Sequence, residues 1–337
     1  EELPEKAKDL ILPYVHLRPW VGSHTLDKAL SRIEKAYAQR PLVLDLASPE
    51  PGEEGKDRPV FSELKKLRNP DGGYANWCEF LEENKQFIPA LQVRNPQKIS
   101  EQAARLKKLD RGVAVHITPQ MLGAISGFID LMKPGVGNGE DFCFVVDFGR
   151  QGENFLLSQL KTVAIVNSLK SEFPDSYVAI SASSFPEGFS DIEDQDIFER
   201  QHFDGVVSQL NFSGIIYSDR GSARAEKQMG GGGTPAPRID YAGATRWNFF
   251  RSAPVEKKAR AAAYVAQAKK AIAHPCWDKK LHVWGHQMIE KTASNSANCI
   301  TSPKLSTAAR INIHLHRQLY YSDEAGLYDT DEEWSDD

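Results

Sequence analysis

Two aspartates interrupt runs that otherwise read as buried strands, Asp45 in "LVLDLA" and Asp147 in "FVVDFG". A carboxylate there must be hydrogen-bonded or ion-paired, because an isolated buried charge is strongly unfavourable. Two readings follow. Each is held structurally, by a salt bridge to Arg18 or Arg94, or each is kept for chemistry, as a general base or as an oxygen ligand for a divalent cation such as Mg2+. Two imidazoles join them as candidates, His116 in "AVHIT" and His286 beside Gly285 in "HVWGH", where a turn would leave the ring exposed. His116 also has a bland reading as a hydrogen-bonded core histidine. Gln92, Ser181 and Ser183 share the ends of such runs, but no GxSxG surrounds either serine, which argues against a serine hydrolase.

A second signal is cationic. The stretch Ser218–Arg251 carries Arg220, Arg224, Lys227, Arg238, Arg246 and Arg251 against Asp219, Glu226 and Asp240, with four consecutive glycines, Gly230 to Gly233. Guanidinium forks bind phosphate or carboxylate in bidentate fashion, and a glycine run lets a loop swing. The expectation is an anion-binding loop using Asp219, Arg220, Arg246 and Arg251, with Arg18 and Arg94 at the same rim. The bland reading is a surface hairpin, "PRIDYA" against "RWNFFR", whose arginines neutralise nearby acids.

These residues need elements to hold them. Eight short runs rich in β-branched residues recur, at 13–18, 41–47, 87–93, 112–118, 142–149, 177–183, 214–220 and 281–286, each followed by an amphipathic stretch. Alternation of this kind implies a parallel sheet with helical crossovers. Eight repeats predict a closed (β/α)8 barrel over residues 1–321, with insertions after strands two and seven. An open doubly wound sheet is the alternative, although no GxGxxG follows an early strand. In a barrel all the candidate residues fall at strand carboxyl ends, so Asp45, Asp147, Asp219 and His286 are expected on one rim.

Composition narrows the classes. Among 337 residues, 41% are apolar and 26% charged, which is ordinary for a globular protein. No run has the length of a membrane span, and "EELPEKAKDL" is no signal peptide, so a cytoplasmic location is expected. The four cysteines form no CxxC pair, which gives no support to structural zinc or a disulfide framework. The net charge is −5, yet Ser322 to Asp337 holds eight Asp/Glu and no Lys/Arg, leaving the rest of the chain net cationic. That tail is expected to be solvated and disordered. A sequence pI near 6.0 argues against a duplex-DNA binder and for a small anionic ligand.

The motifs "RPLVLDL", "FIPALQV", "FCFVVDFG", "SDRG" at 218–221, "RIDYAGATRW" at 238–247 and "HVWGHQMIEKTA" resemble the beta protein family of T-even phages and bacterial genomes. Arg220 and His286 stand where an aromatic and an acidic residue would be more usual in that pattern. The resemblance spans most of residues 12–320 and implies a phage or phage-conflict setting, including antiviral defence, but brings no activity with it. The chemistry therefore rests on the residues. The expectation is binding, and hydrolysis, of a phosphate ester, nucleotide or nucleic-acid end. The alternative is a non-catalytic module that recognises a protein or nucleic acid in phage–host conflict.

Overall fold

A computed structural model describes residues 2–38, 40–50, 52–53, 55, 58–189, 192–224 and 234–330. The glycines 230–233 with Lys227, and the acidic end 331–337, lie outside the described residues.

Seven of the eight expected strands form. They are β1 (Tyr14–Leu17), β2 (Leu42–Leu46), β3 (Phe87–Pro89), β4 (Val113–Ile117), β5 (Phe142–Arg150), β6 (Tyr177–Ser183) and, after the short β7 (Asp194–Asp196), β8 (Ile215–Asp219). β1, β2 and β3 pair in parallel, as do β4, β5, β6 and β8. A parallel bridge between Ala90 and Ala114 joins the two groups. The order therefore runs along the sheet without the reversal that a doubly wound fold requires. Helices cover one face: Leu42, Leu44, Leu46, Val113, Val115, Phe144, Val146 and Val178 all point into that apolar layer. The intervening residues Val43, Asp45, Ala114, His116, Val145 and Asp147 point to the other face, as period-two alternation demands.

The sheet is strongly curved toward that second face. β1 and β4 are three strand spacings apart, about 14 Å in a flat sheet. Yet the rings of His16 on β1 and His116 on β4 have centroids 5.6 Å apart. Such curvature is barrel-like, but a closed barrel is not what the structure shows: among the described residues β8 does not pair with β1. The expected eighth strand is absent, and Trp284–Ala293 is a helix instead. Its buried residues Trp284, Gly285, His286, Met288, Ile289 and Thr292 follow helical spacing, which overrides the short apolar run before them.

The insertion after β8 builds a second, antiparallel sheet. β9 (Arg238–Ala242) and β10 (Arg246–Arg251) form the hairpin, and β7 pairs with β10 on its outer side. A separate apolar cluster lies behind it, with Trp247, Tyr241, Phe249, Tyr264 and Ile313 at its centre. The helix Pro303–Leu319 packs there; Ser302 caps it by accepting from the Leu305 N–H at 3.3 Å, and proline opens its first turn. The early part of the acidic tail is ordered too, as a helix Glu324–Tyr328.

Candidate active site

The concave face carries a cluster of polar side chains at the carboxyl ends of the parallel strands. Asp45 is held by its own neighbours rather than by arginine. Its Oδ1 accepts from the Leu46 N–H at 2.7 Å and from Gln92 Nε2 at 2.6 Å. Its Oδ2 accepts from the Tyr14 hydroxyl at 3.0 Å and lies 3.5 Å from His16 Nε2. The salt bridge to Arg18 or Arg94 does not form; both side chains sit exposed at the rim. Burial, with the Asp45 carboxylate alongside, pushes the Tyr14 phenol well above its usual range, so it stays a donor. His16 is shifted down, first by burial and then by the His116, Arg18 and Arg220 charges, against the pull of Asp45.

Asp147 forms the second centre. It accepts from His116 Nε2 at 3.0 Å and from Arg220 Nη2 on Oδ2, and from the Gly149 N–H at 2.8 Å on Oδ1. Burial raises its pKa, but the His116 hydrogen bond, the Arg220 charge and the Gly149 N–H outweigh it, and the carboxyl titrates below its ordinary value. The Asp-x-Gly turn is built for this. Gly149 has φ +66°, and a Cβ there would also meet Pro119 at 3.0 Å. The same device recurs one layer away. Asp219 Oδ1 accepts from the Gly221 N–H at 2.7 Å, with Gly221 at φ +61°. That turn sends the intervening Arg220 back to Asp147.

Of the candidate residues, Asp45, His116, Asp147 and Arg220 are thus brought together, with Gln92 beneath and Arg18 and Arg94 outside. His16 and Tyr14 are additions. Tyr14, His16 and His116 form a triangle of rings with centroids 5.3 to 5.6 Å apart. The signal was in "YVHL": His16 lies two residues before Arg18 and so on the same face of β1.

Other expected members lie elsewhere. Asp219 points through the sheet into the helical layer, where His314 Nε2 at 2.7 Å and the Tyr217 hydroxyl at 2.8 Å bind it. Burial would raise its pKa, but His314, the Gly221 N–H and Tyr217 bring it down to about 2. His286 is a fully buried helix residue whose ring stacks on Trp277 at 3.8 Å, and burial lowers its pKa to about 4. It is not on the rim. Arg251 binds Asp240 at 2.7 Å, and Arg246 binds Asp196 at 2.6 Å and Asp194 at 3.2 Å. These two arginines sit at opposite ends of β10, so they do not form one anion clamp. Here the hairpin reading of that stretch, arginines against local acids, is the one realised. Arg246 also lines a shallow cleft of about 350 Å³ with Cys276, Asp278 and Arg317, which includes none of the concave-face residues. The concave face is the better candidate because titratable groups from five segments converge there, whereas the cleft holds the Arg317–Asp278 pair and Arg246, which is turned to Asp194 and Asp196.

For a metal, Asp45 and Asp147 do not make the all-oxygen pair that Mg2+ favours. Asp147 is occupied by His116, Gly149 and Arg220. Asp45 instead groups with His16 and His116, whose ligating atoms all lie within 4.8 Å of one another. Chemically, the face offers imidazole–carboxylate pairs able to activate water, beside a guanidinium able to neutralise an anion.

A family model described as Beta protein matches residues 1–320. A curated relative, Protein beta of Enterobacteria phage P4, is 25% identical over 347 residues, covering 98% of this chain and 92% of its own length. The resemblance read from the motifs thus has its counterpart in phage P4, where T-even phages were expected. No solved structure matches. Among the described residues no helix is long and apolar enough to cross a membrane.

Proposed function

The chain belongs to the beta protein family, and from the chemistry of its concave face we propose that it binds a phosphate ester or nucleotide there and hydrolyses it. One observation carries this reading: His16, Asp45, His116, Asp147 and Arg220, from five separate segments, converge on one side of the sheet. Packing alone gives no reason to place two imidazoles, two carboxylates and a guanidinium on one patch, since each is costly to desolvate. Hydrolysis of a phosphate ester asks for two things. Water must be activated to attack phosphorus as the P–O bond to the leaving group breaks, and the negative charge must be met by fixed donors. The imidazole–carboxylate cluster answers the first. Arg220 answers the second, with Arg18 and Arg94 at the rim where the ligand enters.

The test is a calorimetric screen of nucleotides and simple phosphate esters against the full chain, repeated with Arg220→Ala and Arg246→Ala. A charge-assisted hydrogen bond contributes about 1.5–3 kcal/mol, so loss of Arg220 should weaken binding by roughly 10- to 100-fold. Arg246→Ala should bind as the parent does. Equal affinity in Arg220→Ala, or no binding by the parent to any of the panel, overturns the proposal.

A further inference from the structure

The concave cluster raises a question that hydrogen bonding alone leaves open: why its two imidazoles face one carboxylate across three strands. We propose that His16, Asp45 and His116 form a binding site for a first-row divalent transition ion of the zinc or cobalt class. This rests on the concave face being the functional site and names what activates water there.

The donor set argues for the ion class. Two imidazole nitrogens and one carboxylate oxygen suit zinc, cobalt or iron, whereas magnesium and calcium favour oxygen shells. Three protein ligands also leave a coordination position for water, the pattern of catalytic rather than structural sites.

The geometry argues for a built site. The ligands come from β1, β2 and β4, and strand-borne side chains are held more firmly than loop residues. All three ligating atoms fall within 4.8 Å of one another, and His16 Nε2 to Asp45 Oδ2 is already 3.5 Å. Bonds of about 2.0–2.2 Å place tetrahedral ligands roughly 3.3–3.6 Å apart, so side-chain adjustments of up to about 1.5 Å complete the set.

The surroundings of the ligands have the character of an outer coordination shell. His116 Nε2 lies 3.0 Å from Asp147 Oδ2. An ionised carboxylate can only accept, so it selects the tautomer with the proton on Nε2, in which Nδ1 keeps its lone pair for an ion. A carboxylate behind a ligating histidine fixes its tautomer and raises its basicity. Asp45 is oriented in the same way: Gln92 and the Leu46 N–H occupy Oδ1, leaving Oδ2 toward His16 with only the Tyr14 hydroxyl on it. Arg220, bound to Asp147, sits one residue contact away from this set, where an anionic ligand on the ion would meet it.

The experiment titrates chelator-stripped full-length protein with Co2+ and follows the visible d–d bands of four- or five-coordinate cobalt, with Zn2+ as competitor. No phosphate compound is present, so this readout is independent of the hydrolase reading. Conversely, ester binding measured in chelator tests Arg220 without the ion. The expected result is one cobalt per chain, displaced by zinc and not by equimolar magnesium. His16→Ala and His116→Ala should each weaken binding by about 100-fold or more, Asp147→Asn by about 10- to 100-fold, and His24→Ala, an exposed histidine elsewhere, not at all. Should the alanine variants fail to fold by circular dichroism, X-ray absorption on zinc-loaded parent protein decides, since the site predicts two imidazole ligands and no thiolate. Absence of stoichiometric cobalt binding, a thiolate in the shell, or binding unaffected in folded His16→Ala and His116→Ala overturns the proposal. Ester binding that persists in those circumstances would leave the His116–Asp147 pair acting on water directly.

Discussion

Arg251 stacks over the Phe189 ring, 3.3 Å from its centroid, and turns its charge to a buried acid. Its guanidinium was expected at an anion, and it is at one, but the anion is Asp240 of its own hairpin. Three arginines converge on Asp240 Oδ2: Arg251 at 2.7 Å, Arg310 at 3.1 Å and Arg238 at 3.4 Å. Burial lowers Arg251 and Arg310 to about 10, so both remain charged near neutrality. Asp240→Ala would strand this charge, and a loss of about 3–5 kcal/mol is expected in denaturant unfolding. Arg246 is half exposed, and Arg246→Ala should stay within about 1 kcal/mol of the parent. Similar losses in the two variants would refute this account of the cluster. His286 supplies a pH prediction. Its folded pKa, about 4, lies below the value of about 6.5 expected when unfolded, so the unfolded chain takes the proton first. Its contribution is whole above pH about 6.5 and is lost as pH falls toward 4. His286→Phe keeps an aromatic against Trp277 and should show a shallower loss of stability over that window. An unchanged slope would mean that the ring is not buried as described.

At the scale of elements, the seven parallel strands were legible because each is a short apolar run bounded by a helix. Buried on one face against helices and on the other within the curve, they carry the pattern of a parallel sheet. The eighth run failed because "LHVWG" is short and its continuation has helical spacing. Gly285 is the residue that decides the packing there. A Cβ on it would come 2.3 Å from the Ala309 carbonyl oxygen, so the helices Trp284–Ala293 and Pro303–Leu319 touch through backbone. Gly285→Ala should therefore destabilise by about 1–3 kcal/mol through overpacking, despite alanine's better helix propensity. A variant that melts at or above the parent would show that the two helices separate freely.

The whole molecule ties its ends together. The acidic segment from Ser322 was expected to be solvated, so that its removal would cost less than about 1 kcal/mol. Instead the Tyr328 hydroxyl donates to Asp278 at 3.0 Å, the Leu327 carbonyl accepts from His316 at 3.0 Å, and Leu327 packs on the second apolar cluster. Lys6 meets Asp329 at 2.8 Å from the other terminus. Deleting residues 322–337 is now expected to lower stability by more than about 1 kcal/mol, with a clear drop in the thermal midpoint. A midpoint equal to that of the full chain would show these contacts to be without weight.

Local pattern sufficed for what is local. Strand periodicity, the two Asp-x-Gly turns and the pairing of "RIDYA" with "RWNFFR" were all written in neighbouring residues. So was the kind of chemistry, because carboxylates and an imidazole inside apolar runs must have partners. Sidedness was not. Asp147 and Asp219 end similar strands with the same turn, yet one faces the concave cluster and the other lies among helices, against His314. That choice depends on strand parity relative to the curvature of the whole sheet, and curvature accumulates over strands far apart in the chain. The same accumulation brings His16 to His116 across one hundred residues of sequence, a proximity that neither segment encodes alone.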